Sequence, residues 1–256
     1  MPLIDLSGRV ALVTGGSRGI GAATAVMLAE AGADVALTYR TRKDEADKVG
    51  KRIERIGRQW TALQADLSRR DDCERVVRET AEAYGKLDIL VANAGIWSPD
   101  DTPVSEMADQ QWRTTMATNL DSVFWGTRAA LRVMKRGGRV VIVTSTAGQR
   151  GEALHADYAA TKGALISFVK SVAVEVAKLD ITVNSVAPGW VDTEMSKIPY
   201  ERERGRGKQE IERTIPLGRV ASAEDVAGPI VFLCSSLARH ITGEVLNVNG
   251  GSVLCG

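Results

Sequence analysis

Tyr158 and Lys162 stand four residues apart, a spacing that puts both side chains on one face of a helix. A free phenol ionises near pH ~10, too high for ready ionisation at neutrality. An ammonium beside it favours the phenolate and lowers that value. Such a pair can give a proton to a forming alkoxide or take one from an alcohol. Ser145 follows the apolar run 140–144. A hydroxyl at the C-terminal end of a strand can hydrogen-bond a substrate oxygen and stabilise charge developing there. No His–acid pair is placed beside Ser145, so it is not read as an acylating nucleophile, and His155 reads as a pocket-loop residue. A Tyr and a Lys on one amphipathic helix are common. The company of Ser145 and of a glycine-rich turn gives these two chemical meaning.

That turn is Thr14-Gly15-Gly16-Ser17-Arg18-Gly19-Ile20-Gly21, placed where the first apolar run meets the first helical stretch. Glycines permit a tight turn and close backbone approach to phosphate oxygens, and the free N–H groups opening the helix then face a pyrophosphate. The spacing is G-x-x-x-G-x-G, not the G-x-G-x-x-G fingerprint. Its place in the first unit of a long βα series, more than the glycines alone, points to a dinucleotide. An NAD site needs an acid at the end of the second strand, for the ribose 2′-hydroxyl. Here that strand ends Thr38-Tyr39-Arg40, with Thr41-Arg42 following. Guanidinium groups bind a phosphate bidentately. Arg40 and Arg18 are therefore expected to converge on a 2′-phosphate, with Thr41 or Arg42 helping, and NADP(H) is favoured over NAD(H).

The elements that must position these groups are legible as an alternation. Strand-like runs occupy 10–13, 35–39, 60–63, 89–92, 140–144, 182–186 and 244–248, with helix-like stretches among them at 20–31, 45–56, 72–84, 121–135 and 158–177. This predicts an α/β fold, a doubly wound, parallel, seven-stranded Rossmann-like sheet in one domain over 1–256. Irregular regions at 97–105, 149–157 and 190–217 follow strand ends, where open α/β sheets bind ligands. The last is expected to be a substrate loop, and its charged part at 201–208 a solvated helix or loop by default, or a mobile lid over the substrate.

Composition narrows the rest. Of 256 residues, 44% are hydrophobic and 25% charged, as in an ordinary globular protein. A net charge of +1 gives no whole-molecule field for gathering nucleic acid or an anionic membrane. Cys73, Cys234 and Cys255 are too far apart for a metal site, which two histidines do not rescue, and they read as small packing residues or a terminal free thiol. With no signal-peptide pattern and no apolar span of bilayer length, the expectation is a cytoplasmic protein without metal, nucleic acid or membrane as partner.

Thr14-Gly15-x-x-x-Gly19-x-Gly21, Asn93-Ala94-Gly95, Asn119, Ser145, Tyr158-x-x-x-Lys162 and Pro188-Gly189 together resemble the short-chain dehydrogenase/reductase family, over about 6–251. The resemblance implies a hydride transfer between a nicotinamide and a carbonyl or alcohol. It implies that Asn119, Ser145, Tyr158 and Lys162 form a catalytic tetrad, in which Asn119 supports a water that relays protons to Lys162. Lys162 also resembles the lysine that binds the nicotinamide ribose, Asn93, Ala94 and Gly95 the motif beside the adenosine ribose, and Asp66 and Leu67 the pair that fixes adenine. Pro188, Gly189, Val191 and Thr193 resemble the segment that holds the carboxamide.

Substrate identity is less legible. Trp97, Gln149, Arg150, His155 and Trp190, with Glu152 and Leu154, are expected to bound the pocket, a mixture that favours no one substrate class. The overall likeness is to 3-oxoacyl-acyl-carrier-protein reductases of fatty acid biosynthesis. In these, basic residues near the entrance receive the carrier protein; Arg136 matches one such position, while the other falls on Leu179 beside Lys178. A sugar, polyol or small-ketone reductase is the alternative, and a non-catalytic NADP-binding regulator a remoter one. The resemblance also implies a homotetramer, packed through 121–135, 158–177 and the last strand.

Overall fold

Short runs of β-branched and aliphatic residues make the sheet, because strands covered by helices on both faces take apolar side chains at every position. The computed structural model describes residues 4–254, with the side chains of 202–205 outside that description. Its strands are β1 (Val10–Val13), β2 (Asp34–Tyr39), β3 (Trp60–Gln64), β4 (Ile89–Ala92), β5 (Arg139–Val143), β6 (Thr182–Pro188) and β7 (Val245–Val248). They form one parallel sheet in the order β3-β2-β1-β4-β5-β6-β7. The order reverses between β1 and β4, and a ligand crevice opens at the carboxyl ends of the strands there.

Helices α1 (Gly19–Glu30), α2 (Lys43–Arg55) and α10 (Ala223–Cys234) belong to one side, and α3 (Arg70–Tyr84), α5 (Ser122–Val133) and α7 (Ala156–Val176) to the other. The two-residue period of a strand sorts the core between them. Ala11 and Val13 join Val141 and Val143 on one face, while Leu12 joins Val140 and Ile142 on the other. These side chains are almost wholly buried. Cys73 and Cys234 lie in the two clusters, and burial pushes both thiols up to about 12, so neither is a reactive thiolate. Cys255 lies outside the described residues.

The helix expected at 121–135 is α5, and α4 (Asp109–Met116), which the sequence reading did not place, runs into it through a π turn at Ala117–Asp121. Strand β5 ends at Val143, one residue before the expected end, and the Thr144 N–H closes the ladder on the Val186 carbonyl, to which its hydroxyl also donates, each at 2.8 Å. The stretch 190–217 is not a bare loop; it carries α8 (Lys197–Gly205) and α9 (Gly207–Thr214). Its Glu, Arg and Lys residues are good helix formers. Tyr200, Ile215 and Val220 supply a small separate core, with Trp190 and Ile211 packed on it. The remaining short helix, α6 (Thr146–Arg150), follows β5 directly.

Candidate active site

The expected trio meets at the carboxyl end of β5. Ser145 caps α6, accepting the Ala147 N–H at 3.1 Å, and its hydroxyl lies close enough to Tyr158 to act on the phenol. Tyr158 lies in the first turn of α7, and both side chains line one cavity. Lys162, one turn further on, is only 4% exposed; its Nζ donates to the Val143 carbonyl at 2.8 Å and stands 5.6 Å from the Tyr158 ring centroid. The expected depression of the phenol by the ammonium is overturned here. Burial pushes Tyr158 up to about 12, opposed by the Ser145 hydroxyl and reinforced by the Glu152 carboxylate. Burial alone pulls Lys162 down to about 8. Desolvation outweighs the pair interaction because Lys162 faces a carbonyl rather than an anion.

Asn119 sits on the π turn, wholly buried. Such turns displace one residue from the helical path and are frequent at functional sites. Its amide clamps the backbone of Ile96 from both sides, accepting the N–H and donating to the carbonyl at 2.8 Å each. A Cβ built on Gly95 would stand 3.3 Å from Asn119 Oδ1 and 3.6 Å from Lys162 Nζ, so both groups crowd the same bare backbone. Asp157, immediately before Tyr158, ties the start of α7 to α4: it accepts from the Thr115 hydroxyl at 2.7 Å and from Gln111 Nε2 at 3.3 Å. Nothing in its spacing singled out Asp157, because its partners come from another helix.

The glycine-rich turn has the shape expected of a phosphate cradle. Gly15 and Gly19 have φ of +64° and +53°, the left-handed region that favours glycine. A Cβ at Gly21 would come within 2.3 Å of the Gly15 carbonyl. Asn93 closes the turn from β4, donating to the Thr14 and Gly15 carbonyls at 2.9 and 3.2 Å; the Thr14 hydroxyl receives the Asn93 and Ala94 N–H groups at 3.0 Å. No side chain caps α1 and no acid lies in its first turn. Its N-terminus therefore offers unpaired N–H groups and positive dipole character to an anion, and the residues present fit a dinucleotide. Thr193 packs against Gly19 across this opening, and a Cβ at Gly189 would stand a tight 3.1 Å from Asn249.

The side chains of several residues expected at the cofactor are packed or paired within the protein, which leaves their backbone groups for it. Tyr39 and Leu67 are buried in the two core clusters, and Val191 is buried with its carbonyl held by Ser196 and Tyr200 at 2.7 and 3.1 Å. Ser17 is buried in the turn and Ile20 packs on the core, while Thr41 is exposed. Asp66 accepts from the N–H and hydroxyl of Ser68 and pairs with Arg40 Nε at 3.9 Å. Arg40 and Arg18 do not converge. Arg18 instead hydrogen-bonds Glu194, whose carboxylate also stands 3.6 Å from Arg42. Sequence reading missed Glu194 altogether.

A cavity of about 80 Å³ adjoins Ser145 and Tyr158, walled by Trp97, Arg150, Glu152, Trp190 and Met195 among others. Trp97 and Trp190 meet edge to face at 6.1 Å. Three expected lining residues, Gln149, Leu154 and His155, are absent from the wall. Gln149 turns away to donate to Asn247 at 2.7 Å. His155 is buried behind Trp97, stacked on it at 4.7 Å, with Nδ1 against the Ala153 carbonyl. Burial raises the Glu152 carboxyl, with His155 and Arg150 opposing. Leu154, at φ +69°, is exposed. Among the described residues there is no cluster able to hold a metal ion, and no helix is long and apolar enough to cross a membrane.

The chain matches known proteins over nearly its whole length. A family model described as Enoyl-(Acyl carrier protein) reductase matches residues 15–252. The 3-oxoacyl-[acyl-carrier-protein] reductase of Synechocystis sp. is 38% identical over 252 residues, covering 97% of this chain and 98% of that protein. A short-chain dehydrogenase from Burkholderia cenocepacia J2315, solved in complex with NADP, superposes with a TM-score of 0.90 at 37% identity, over 96% of this chain and 98% of that one. A short-chain dehydrogenase/reductase from Serratia marcescens BCRC 10948 gives 0.90 at 36% identity, with the same coverage.

Proposed function

This chain belongs to the short-chain dehydrogenase/reductase family and is an oxidoreductase of that type, and we propose that it reduces a carbonyl, in the manner of a 3-oxoacyl thioester reductase, with NADP(H) preferred over NAD(H). The observation that carries this reading is the pair of hydroxyls, Ser145 and Tyr158, lining one cavity, with the buried Lys162 one helical turn beyond Tyr158. The matched family description and the relative's name differ in the bond reduced, C=C against C=O. Two hydroxyl donors on one cavity suit a carbonyl, because its oxygen must accept developing negative charge.

When bound, the nicotinamide supplies or takes the hydride. The chain's own residues hold, orient and move a proton. Ser145 holds the substrate oxygen, and Tyr158 gives it the phenolic proton as the alkoxide forms. Neutral below its raised pKa, Tyr158 is a loaded donor at physiological pH. Lys162 and Asn119 resupply that proton. Gly15, Ser17, Arg18, Gly19, Ile20 and Gly21 would hold the pyrophosphate; Asn93, Ala94, Gly95, Asp66 and Leu67 the adenosine side; Pro188, Gly189 and Thr193 the carboxamide. Arg18 and Arg42, which come together beside the tip of β2, would meet a 2′-phosphate, and Arg40 would join them only by leaving Asp66. In support, the Burkholderia relative was solved with NADP.

A polyol or sugar carbonyl is the second reading. It is favoured by Glu152, a carboxylate acceptor in the same cavity as the rings of Trp97 and Trp190. Carrier-protein docking at Arg136 has weaker support, since its guanidinium donates to the Lys178 carbonyl at 3.0 Å. A homotetramer in the cytoplasm fits the apolar side chains left exposed on α5 and α7, Phe124 and Val174 among them. The test is NADPH consumption with a panel of 3-oxoacyl thioesters, diketones, quinones and sugars. Turnover of a thioester, lost in Tyr158→Phe while cofactor binding stays, is the expected result. Normal turnover by Tyr158→Phe overturns the proton-donor role, and turnover of sugars alone replaces the substrate class.

A further inference from the structure

We propose that Glu194 is a specificity-determining residue for the cofactor: its carboxylate occupies the arginine pair that a 2′-phosphate would take, and competes with it. This rests on the NADP(H) reading above. Three loops meet at this point. Arg18 comes from the turn after β1, Arg42 from the turn after β2, and Glu194 from the segment after β6. Arg18 hydrogen-bonds the Glu194 carboxylate, and Arg42 Nη2 stands 3.6 Å from the same oxygen. The remaining cation of the cluster, Arg40, is turned to Asp66 at 3.9 Å.

The tip of β2 is where a doubly wound fold places the adenosine ribose and its 2′ oxygen. Specificity for a phosphorylated ribose depends on guanidinium groups free to form forked hydrogen bonds with it. A carboxylate already bound to both guanidiniums offers the same kind of acceptor oxygens, at lower charge. A phosphate arriving there must displace Glu194, because two anions sharing one arginine pair repel each other. The displacement is feasible. Arg18, Arg42 and Glu194 side chains are each about half exposed, at 51%, 55% and 50%, so water can solvate the carboxylate once released. Exposed pairs of this kind contribute little to fold stability. Their effect falls on the competing ligand: Glu194 lowers the affinity for the 2′-phosphorylated cofactor and leaves the unphosphorylated one untouched.

The test titrates 2′,5′-ADP and 5′-AMP calorimetrically into wild type and Glu194→Gln. These probes differ at the 2′-phosphate, and neither reports turnover. Glu194→Gln is expected to bind 2′,5′-ADP about three- to fivefold more tightly, with 5′-AMP unchanged. That gain shrinks at high salt, and it shrinks again in an Arg42→Ala background, since the competition needs the second guanidinium. Weaker or unchanged 2′,5′-ADP binding overturns the proposal, the first by showing that Glu194 straps the cofactor in. Equal tightening of both probes overturns it too, as a general field effect. The underlying reading is judged separately, by the wild-type ratio. If wild type shows no preference for 2′,5′-ADP but Glu194→Gln gains one, the competition stands and the stated NADP(H) preference falls. If neither protein shows a preference, both fall.

Discussion

The ammonium of Lys162 donates to the carbonyl of Val143 at 2.8 Å, a contact that turns a buried cation toward the end of β5 and not toward a carboxylate. With no anion to compensate it, Lys162 carries a desolvation cost on its charged form, which lowers its pKa to about 8 from 10.5. The unfolded chain holds this proton more tightly than the folded one. Stability at this group therefore rises with pH between those two values. Above pH ~10 the Tyr158 phenol, raised by burial, acts in the opposite direction, because the unfolded phenol ionises first. Urea denaturation of wild type and Lys162→Met from about pH 7.5 to about 9.5 should show the gain in wild type alone. Parallel curves for the two proteins would remove the buried-cation account.

Gly21 and Gly126 make a matched pair for the cradle. An added Cβ at Gly21 meets the Gly15 carbonyl at 2.3 Å and Asn93 Nδ2 at 2.6 Å, whereas at Gly126 it meets nothing within 4 Å. Gly21→Ala is expected to cost about 1–3 kcal/mol and to abolish dinucleotide binding, since backbone must shift. Gly126→Ala, inside α5, should stabilise by about 0.5–1 kcal/mol. Thermal midpoints and NADPH fluorescence titration check both. An unperturbed Gly21→Ala would show that the turn is looser than its contacts imply.

Asp157 is expected to position Tyr158 without touching substrate. Asp157→Ala leaves the buried Thr115 hydroxyl unpaired, at a cost of about 1–3 kcal/mol. Because the start of α7 is then untethered, kcat should fall more than KM rises. Thr115→Val breaks the same bond from α4 and should reproduce the split, and Asp157→Asn, which can still accept, should restore most of kcat. If all three variants change only stability, Asp157 is a packing residue.

Arg40→Asp replaces a cation at the tip of β2 by the acid that suits a free ribose hydroxyl. The NADPH-to-NADH affinity ratio should fall at least tenfold, or about 1.4 kcal/mol, within the range of a charge-assisted hydrogen bond. A ratio unmoved by this change would place the 2′-phosphate contact wholly on Arg18 and Arg42.

Much of this site is readable in order along the chain. The strand runs, the helical spacing of Tyr158 and Lys162, and the cradle glycines are local patterns, set by side-chain sterics and by periods of two and 3.6 residues. Helix ends and the π turn at Ala117–Asp121 were less legible, because the pull on Asn119 comes from the Ile96 backbone, outside its own helix. The helices in 190–217 were masked by a charged sequence whose few apolar residues close a core only once folded.

What the sequence determined by itself was therefore the parallel α/β scaffold, the glycine-rich turn after β1 and the residues that gather at the end of β5. What only the tertiary structure decided was how those groups are tuned. The direction of the Tyr158 and Lys162 shifts depends on burial, and the meeting of Arg18 with Glu194 joins positions 176 residues apart. Desolvation and long-range pairing are properties of the packed neighbourhood, and no local pattern in the chain encodes either.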